Sequence, residues 1–169
     1  MNIEFKEANY NDIPLIHQLA VEIWHEYYPT IISKDQINYM LQLMYSKEAL
    51  KKQMDDNHCF TLILVKKTPA GYISVNQESA GNFFLNKFYI KKEYRNLKLG
   101  RRLLQHIELK YKDELKVMRL FVNRQNFKSI NFYFKNGFII ENVIDKPIGN
   151  NFYMNDFIMI KKYTNQVDN

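Results

Sequence analysis

Two stretches of the chain carry residue types and spacings that can do chemistry. The first, Leu85–Ile107, reads LNKFYIKKEYRNLKLGRRLLQHI. An aromatic-rich strand runs into a basic turn, and one glycine, Gly100, then opens an amphipathic helix. A helix N-terminus presents free backbone N–H groups and the positive end of the dipole, which together bind phosphate. Arg95 and the amides after it would face such an anion, and Gly100 would let the backbone approach it closely. The bland alternative is a β-α turn whose charges are merely solvated. The second stretch, Leu120–Ile140, reads LFVNRQNFKSINFYFKNGFII. A strand ends in an asparagine-rich turn and a short helix follows. Asn126 stands at the turn, where it can cap that helix. Tyr133 lies seven residues on, where it could equally be a half-buried core tyrosine.

These segments need a scaffold, and the rest of the chain supplies one. Ile3–Glu7 reads as a strand. Asn11 or Asp12 caps a first helix with Pro14 in its first turn, and apolar residues recur from Leu15 to Tyr27 at helical spacing. Tyr28-Pro29 ends it. Ser33 and Gln36 form a capping-box pattern for a second helix, and 47–54 adds a further helical turn or two. Phe60–Lys66, Tyr72–Gln77 and Phe83–Ile90 read as an antiparallel meander, turned at Thr68-Pro69-Ala70-Gly71 and around Gly81. After the helix Leu99–Lys112 come a strand over 116–122, the Tyr133 helix closed by Gly137, and two last strands, Phe138–Val143 and Phe152–Lys161. The order β-α-α-β-β-β-α-β-α-β-β predicts one mixed α/β domain over 1–163, with a disordered tail over 164–169.

Composition removes several classes of function. At 169 residues the chain fits one domain of about 150 residues. With 46% hydrophobic and 25% charged residues it is an ordinary globular chain. No apolar run reaches the ~18 residues of a membrane helix, and the N-terminus has no basic and apolar signal pattern. The single Cys59 fits a reducing cytoplasm. His17, His25, His58 and His106 show no metal-ligand spacing, so no metal site is expected. Five glycines are too few for the glycine-rich dinucleotide and P-loop motifs, and neither pattern occurs. The net charge of +6 points to an anionic partner, and Lys91, Lys92, Arg95, Lys98, Arg101 and Arg102 fall within twelve positions.

The two segments in this order resemble the GCN5-related N-acetyltransferase (GNAT) superfamily, over nearly the whole chain. Tyr94-Arg95-Asn96-Leu97-Lys98-Leu99-Gly100 is similar to the R/Q-x-x-G-x-G/A signature for the coenzyme A pyrophosphate. Asn126, Phe132-Tyr133 and Gly137-Phe138 are similar to the family's N…A-x-x-F-Y-x-x-x-G-F block. Lys98 departs from the signature, standing where the family has its first glycine, and lysine is disfavoured at positive φ.

The resemblance implies a mostly antiparallel central sheet flanked by helices, with a splayed strand pair at the CoA site. It implies acetyl-CoA as cosubstrate, bound by the backbone of Phe88, Tyr89 and Ile90 and by the turn Arg95, Asn96, Leu97, Lys98, Leu99, Gly100 and Arg101. Asn126 would hold the pantetheine or order the strand end, and Lys128 or Lys135 would reach the 3′-phosphate. The activity implied is acetyl transfer to a primary amine, with Tyr133 protonating the leaving thiolate. The strand before the signature holds no carboxylate or histidine, which leaves the base to water or to Glu22, His25 or Glu26. The acceptor, a small-molecule amine, would meet Tyr28 and Glu26 in Trp24–Pro29, with Tyr39 and Asn151–Tyr153. Trp24 is read as core. Two alternatives remain at this level, a non-catalytic CoA-binding module and a nucleic-acid binder; no nucleic-acid motif supports the latter. The chain is read as a monomer or homodimer.

Overall fold

A computed structural model describes residues 2–163; the expected tail over 164–169 lies outside the described residues. Seven strands form one sheet in the order β1-β2-β3-β4-β5-β7-β6. They are β1 (Ile3–Glu7), β2 (Cys59–Val65), β3 (Thr68–Ser79), β4 (Asn82–Ile90), β5 (Val117–Asn123), β6 (Ile139–Gly149) and β7 (Phe152–Lys162). Among the described residues only β4 and β5 pair in parallel. The helices are α1 (Ile13–Tyr27), α2 (Lys34–Tyr45), α3 (Lys47–Asp55), α4 (Leu99–Lys110) and α5 (Phe127–Lys135).

Each face of the sheet carries its own core. Leu99, Leu103, Leu104 and Ile107 of α4 and Ile130 and Tyr133 of α5 pack on one face, against Leu85, Leu120 and Met159. Ile16, Leu19, Ile23 and Trp24 of α1, with Ile37 and Leu41 of α2 and Leu50 of α3, cover the other, against Leu62 and Tyr72. Fully burying each such side chain stabilises the fold by roughly 1.5–3 kcal/mol. The apolar periodicity read from the sequence is therefore the periodicity of these two interfaces.

Local details differ from the sequence reading in four places. Asp12 stands at the N-cap of α1, but its side chain makes no capping hydrogen bond there. Asn9 instead caps a 3₁₀ turn, Tyr10–Asp12, that runs into α1, with Asp12 bonding back to the Asn9 N–H at 3.0 Å. Ser33 caps α2 by accepting from the Gln36 N–H at 3.2 Å, but the Gln36 side chain donates to the Tyr153 carbonyl at 2.8 Å, so half of the capping box is absent. The β2–β3 turn is Lys66-Lys67, both at positive φ, and Thr68-Pro69-Ala70-Gly71 is strand. Gly71 is there because a Cβ would lie 2.2 Å from the Tyr89 carbonyl oxygen of β4. Finally, β6 continues to Gly149 as an edge strand, held at its far end where Tyr39 of α2 donates to the Ile148 carbonyl at 2.6 Å.

Candidate active site

The site is built where the parallel pair separates. The last β4–β5 bridge is Leu85↔Leu120. At that level β4 carries a bulge, because Ser74 pairs with Lys87 and Val75 with Leu85, leaving Asn86 without a partner. Asn86 fixes the bulge by donating to Asn76 Oδ1 at 2.6 Å and to the Phe84 carbonyl at 3.2 Å. Beyond it β4 stays with β3 to Ile90, β5 stays with β7 to Asn123, and a V-shaped cleft opens between them. The Lys91 N–H donates to the Ala70 carbonyl at 2.9 Å. Antiparallel alternation then turns the backbone of Tyr89 toward β3 and that of Phe88 and Ile90 into the cleft. Of the three residues expected to lend their backbone, Tyr89 is thus committed to β3. The Ile90 carbonyl accepts from Arg95 Nε at 3.0 Å. The open groups are the Phe88 N–H and C=O and the Ile90 N–H.

The α4 N-terminus faces the same cleft. Asn96 (φ 69°) and Lys98 (φ 57°) both adopt the left-handed conformation, so Lys98 holds the backbone shape that a glycine would. No side chain caps α4. Its first helical bond is Arg102 N–H to the Lys98 carbonyl at 3.2 Å, which leaves the amides of Leu99, Gly100 and Arg101 free among the described residues. A Cβ on Gly100 would lie 3.3 Å from the Phe132 ring and 3.7 Å from Phe88, so the missing side chain seats α4 on those aromatics. The basic cluster divides here. Lys91, Lys92 and Arg95 pair with Glu22, Glu93 and Glu26. Lys98, Arg101 and Arg102 are exposed and, among the described residues, form no ion pair. Free amides beside unpaired cations fit a pyrophosphate.

Arg95 does something other than wait for an anion. Its Nη2 meets Glu26 Oε2 at 2.7 Å, and its guanidinium lies 4.9 Å from the Tyr27 ring centroid. Tyr27 donates to Asn126 Oδ1 at 2.7 Å, and that oxygen also caps α5 through the Ser129 N–H at 3.2 Å. The end of α1, the end of β4 and the start of α5 are locked together through these groups. Glu26, expected at the acceptor, is committed to Arg95. The fallback bases are likewise engaged: Glu22 pairs with Lys91 at 2.9 Å, and His25 bonds the Val21 carbonyl at 2.9 Å and Asn38 at 3.0 Å. None of them is free to serve the cleft.

Tyr133 is buried, packed at 5.4–6.5 Å ring separations against Phe88, Phe132 and Phe138. Burial, reinforced by Tyr27, pushes its phenol well above the ordinary value, so it holds its proton throughout the physiological range. Tyr28 stacks on Trp24 at 4.3 Å, and its phenol, raised by burial, lies near those of Tyr89 and Tyr133. Tyr28 and Tyr133 are therefore brought together at the cleft with Tyr89, whose hydroxyl accepts from Tyr45 at 3.0 Å.

Two charged groups here were not singled out from sequence. Lys87, buried on β4, lies 4.3 Å over the Tyr45 ring and is pushed down to about 7 by burial. Asp156, buried on β7, is pushed up to about 6, by burial first, with Arg124 opposing and Asp145 adding to the rise. The only sequence signal for either is a charge inside an apolar strand pattern. Among the described residues no group of three or more His, Cys, Asp or Glu side chains is arranged to hold a metal. No helix among them is long and apolar enough to cross a membrane.

The sequence model of the Acetyltransferase (GNAT) family matches residues 16–138. The chain belongs to this family. It is an acetyl-CoA-dependent N-acetyltransferase. A curated GNAT relative, spermidine N(1)-acetyltransferase of Thermoplasma acidophilum, is 31% identical over 96% of this chain and 99% of its own. The crystal structure of PaiA N-acetyltransferase from Thermoplasma acidophilum, in complex with coenzyme A, superposes with a TM-score of 0.81 at 32% identity, covering 96% and 100% of the two chains. A GCN5-related N-acetyltransferase from Rhodopseudomonas palustris has a TM-score of 0.80 at 12% identity, covering 96% and 97%, and shows the fold alone.

Proposed function

We propose that the acceptor is a primary amine of a small aliphatic polyamine of the spermidine kind, and that the splayed cleft is where the acetyl group passes to it. The observation that carries this reading is the full-length relationship to a spermidine N(1)-acetyltransferase. In this reading the open backbone of Phe88 and Ile90 pairs with the pantetheine arm. The amides of Leu99, Gly100 and Arg101, in the turn shaped by Asn96, Leu97 and Lys98, take the pyrophosphate, with the Lys98 and Arg101 side chains beside it. Arg95, Glu26 and Asn126 hold the walls in place. Acetyl-CoA supplies the activated thioester carbonyl. The Ile90 N–H is the group placed to polarise that carbonyl. Tyr133 stays protonated until thiolate charge develops on the departing sulfur, then donates its proton. Tyr28 lines the amine's approach. The chain works in the cytoplasm, as a monomer or as a homodimer.

The test is an acetyl-CoA turnover assay that follows free thiol release with spermidine, shorter diamines and peptides with free N-termini. Turnover of spermidine with a mono-acetylated product is the expected result. Acetylation of peptide N-termini in preference to any polyamine overturns the acceptor assignment.

A further inference from the structure

None of the bases expected from the sequence is free to accept the amine's proton, and Lys87, buried over the Tyr45 ring, is itself a cation until it titrates near 7. An aliphatic amine is an ammonium ion at neutral pH and cannot attack a carbonyl until it loses one. Glu22, His25 and Glu26 are committed elsewhere. Asp156 is not. Only 4% of it is exposed, and among the described residues its carboxylate accepts no hydrogen bond and forms no ion pair. A buried carboxylate left so is costly, and the cost is relieved by taking up a proton or by bringing a cation beside it. Its oxygens are not among the unpartnered side-chain atoms sealed from solvent, so solvent reaches them.

Position agrees with chemistry. Asp156 is the β7 partner of Asn123, the last residue of β5 and three beyond the last β4–β5 bridge, so it stands on the far wall of the cleft mouth. On β7 it shares a face with Met154, which packs with the α1–α3 cluster, while Phe157 and Met159 pack with α4 and α5. The free α4 amides lie on the opposite face. A cosubstrate held by α4 leaves the amine to enter from the α1–α2 side, the side Asp156 faces. The charged groups around it are Arg124, from the β5–α5 turn, and Asp145, from β6, and these pair with each other.

We propose that the carboxylate of Asp156 receives the ammonium group of the acceptor and takes its proton. The inference rests on reading the cleft as the transfer site. The ammonium gives one proton to the Asp156 carboxylate, leaving a neutral amine and a carboxylic acid. The amine nitrogen forms a bond to the thioester carbon, the C–S bond breaks, and the thiolate is protonated from Tyr133. The nitrogen, positively charged after attack, sheds one of its two protons to restore the phenol and leaves a neutral amide, and Asp156 returns its own proton to solvent.

The experiment compares the wild type with Asp156→Asn and Asp156→Glu, using whichever amine of the panel the wild type turns over best. Asp156→Asn is expected to lower kcat/KM by about 100-fold or more. It should also remove the inflection that Asp156 gives the wild type near pH 6, leaving a rate that keeps rising with pH toward the amine's own titration. Against hydroxylamine, already neutral at the assay pH, its deficit should shrink to a few-fold. Asp156→Glu should recover part of the inflection, and the rise in Tm caused by CoA should be unchanged in both variants. The proposal is overturned if Asp156→Asn keeps the inflection near pH 6, loses equally against both amines, or loses the CoA-dependent rise in Tm. A best acceptor other than a polyamine would defeat the acceptor assignment and leave that of Asp156 standing.

Discussion

Helices α4 and α5 both begin at the mouth of the cleft, yet only α5 closes its own first turn. Asn126 accepts from the Ser129 N–H at 3.2 Å, whereas α4 begins at a left-handed Lys98 whose side chain caps nothing. The capped end holds a side chain, Tyr133, in one place. The open end keeps backbone donors for an anion. The same division separates the two sides of the cleft. The α4 side is backbone, contiguous in sequence and supported by a satisfied ion-pair network. The α1 side is made of side chains from distant strands and helices, several buried without partners among the described residues: Asp156, and also the Trp24 Nε1, Tyr72 hydroxyl and Ser74 Oγ. Groups so placed cost stability, as is common where a site must bind something polar.

The capped side breaks most sharply at Tyr133. Tyr133→Phe removes the proton donor and little else, since the ring keeps its contacts with Phe88, Phe132 and Phe138. We expect kcat to fall by about 10²–10⁴-fold, with the CoA-dependent rise in Tm intact. Full retention of kcat would make Tyr133 a core residue only.

The cost on the α1 side has its own readout. Asp156 titrates at about 6 in the folded protein against 3.8 for an unperturbed carboxyl. Between these values the folded state binds more protons than the unfolded one, so stability falls as pH rises from about 4 through about 6. Asp156→Asn without ligand should therefore be more stable than the wild type at pH 7.5, by up to about 3 kcal/mol, with the gain vanishing near pH 4. Urea unfolding at the two pH values measures it. A variant less stable at pH 7.5 would mean that the carboxylate is already compensated in the free protein.

How far each side was legible follows from the same contrast. The turn Arg95–Arg101 and its helix lie within one short stretch, and Tyr133 is placed by the period of its own helix. Local pattern therefore marked both stretches, while the roles given to them came from the family resemblance. Asp156 faces the cleft only because β7 pairs with β5 in one register, and Glu26 meets Arg95 across 69 positions of chain. No local pattern encodes either. Gly71 misled for a different reason: a glycine serves a tight turn and a close backbone approach equally well. Only the position of the Tyr89 carbonyl decides between them. The true turn, Lys66-Lys67, carries none of the residue types that usually mark positive φ.

On the open side, Gly100→Val places branched carbons where a Cβ alone would already lie 3.3 Å from Phe132. The α4 N-terminus must shift away from that ring, and its free amides shift with it. CoA affinity should fall by about tenfold, which lowers the stabilisation from saturating CoA by about 1.4 kcal/mol. Titration calorimetry with CoA checks this, and an unchanged Kd would place the phosphates elsewhere.

The smallest effect tests whether Lys98 is a defect or a device. Its left-handed backbone, φ 57° and ψ 17°, costs about 1–2 kcal/mol for a residue with a Cβ. Lys98→Gly removes that strain but adds about 0.5–1 kcal/mol of unfolded-state freedom. The free protein should gain roughly 0.5 kcal/mol, a rise in Tm of about 1–2 °C. The side chain is exposed and, among the described residues, without an ion-pair partner, beside the free amides of α4. Removing it should weaken CoA binding a few-fold at low salt, and the difference should disappear at high salt, where an exposed charge is screened. A gain in stability with that salt-dependent loss of affinity would mean that the lysine exchanges backbone ease for a phosphate contact. A loss of stability would mean that its long side chain packs on the turn, and the open end of α4 would then be less open than its unpaired amides indicate.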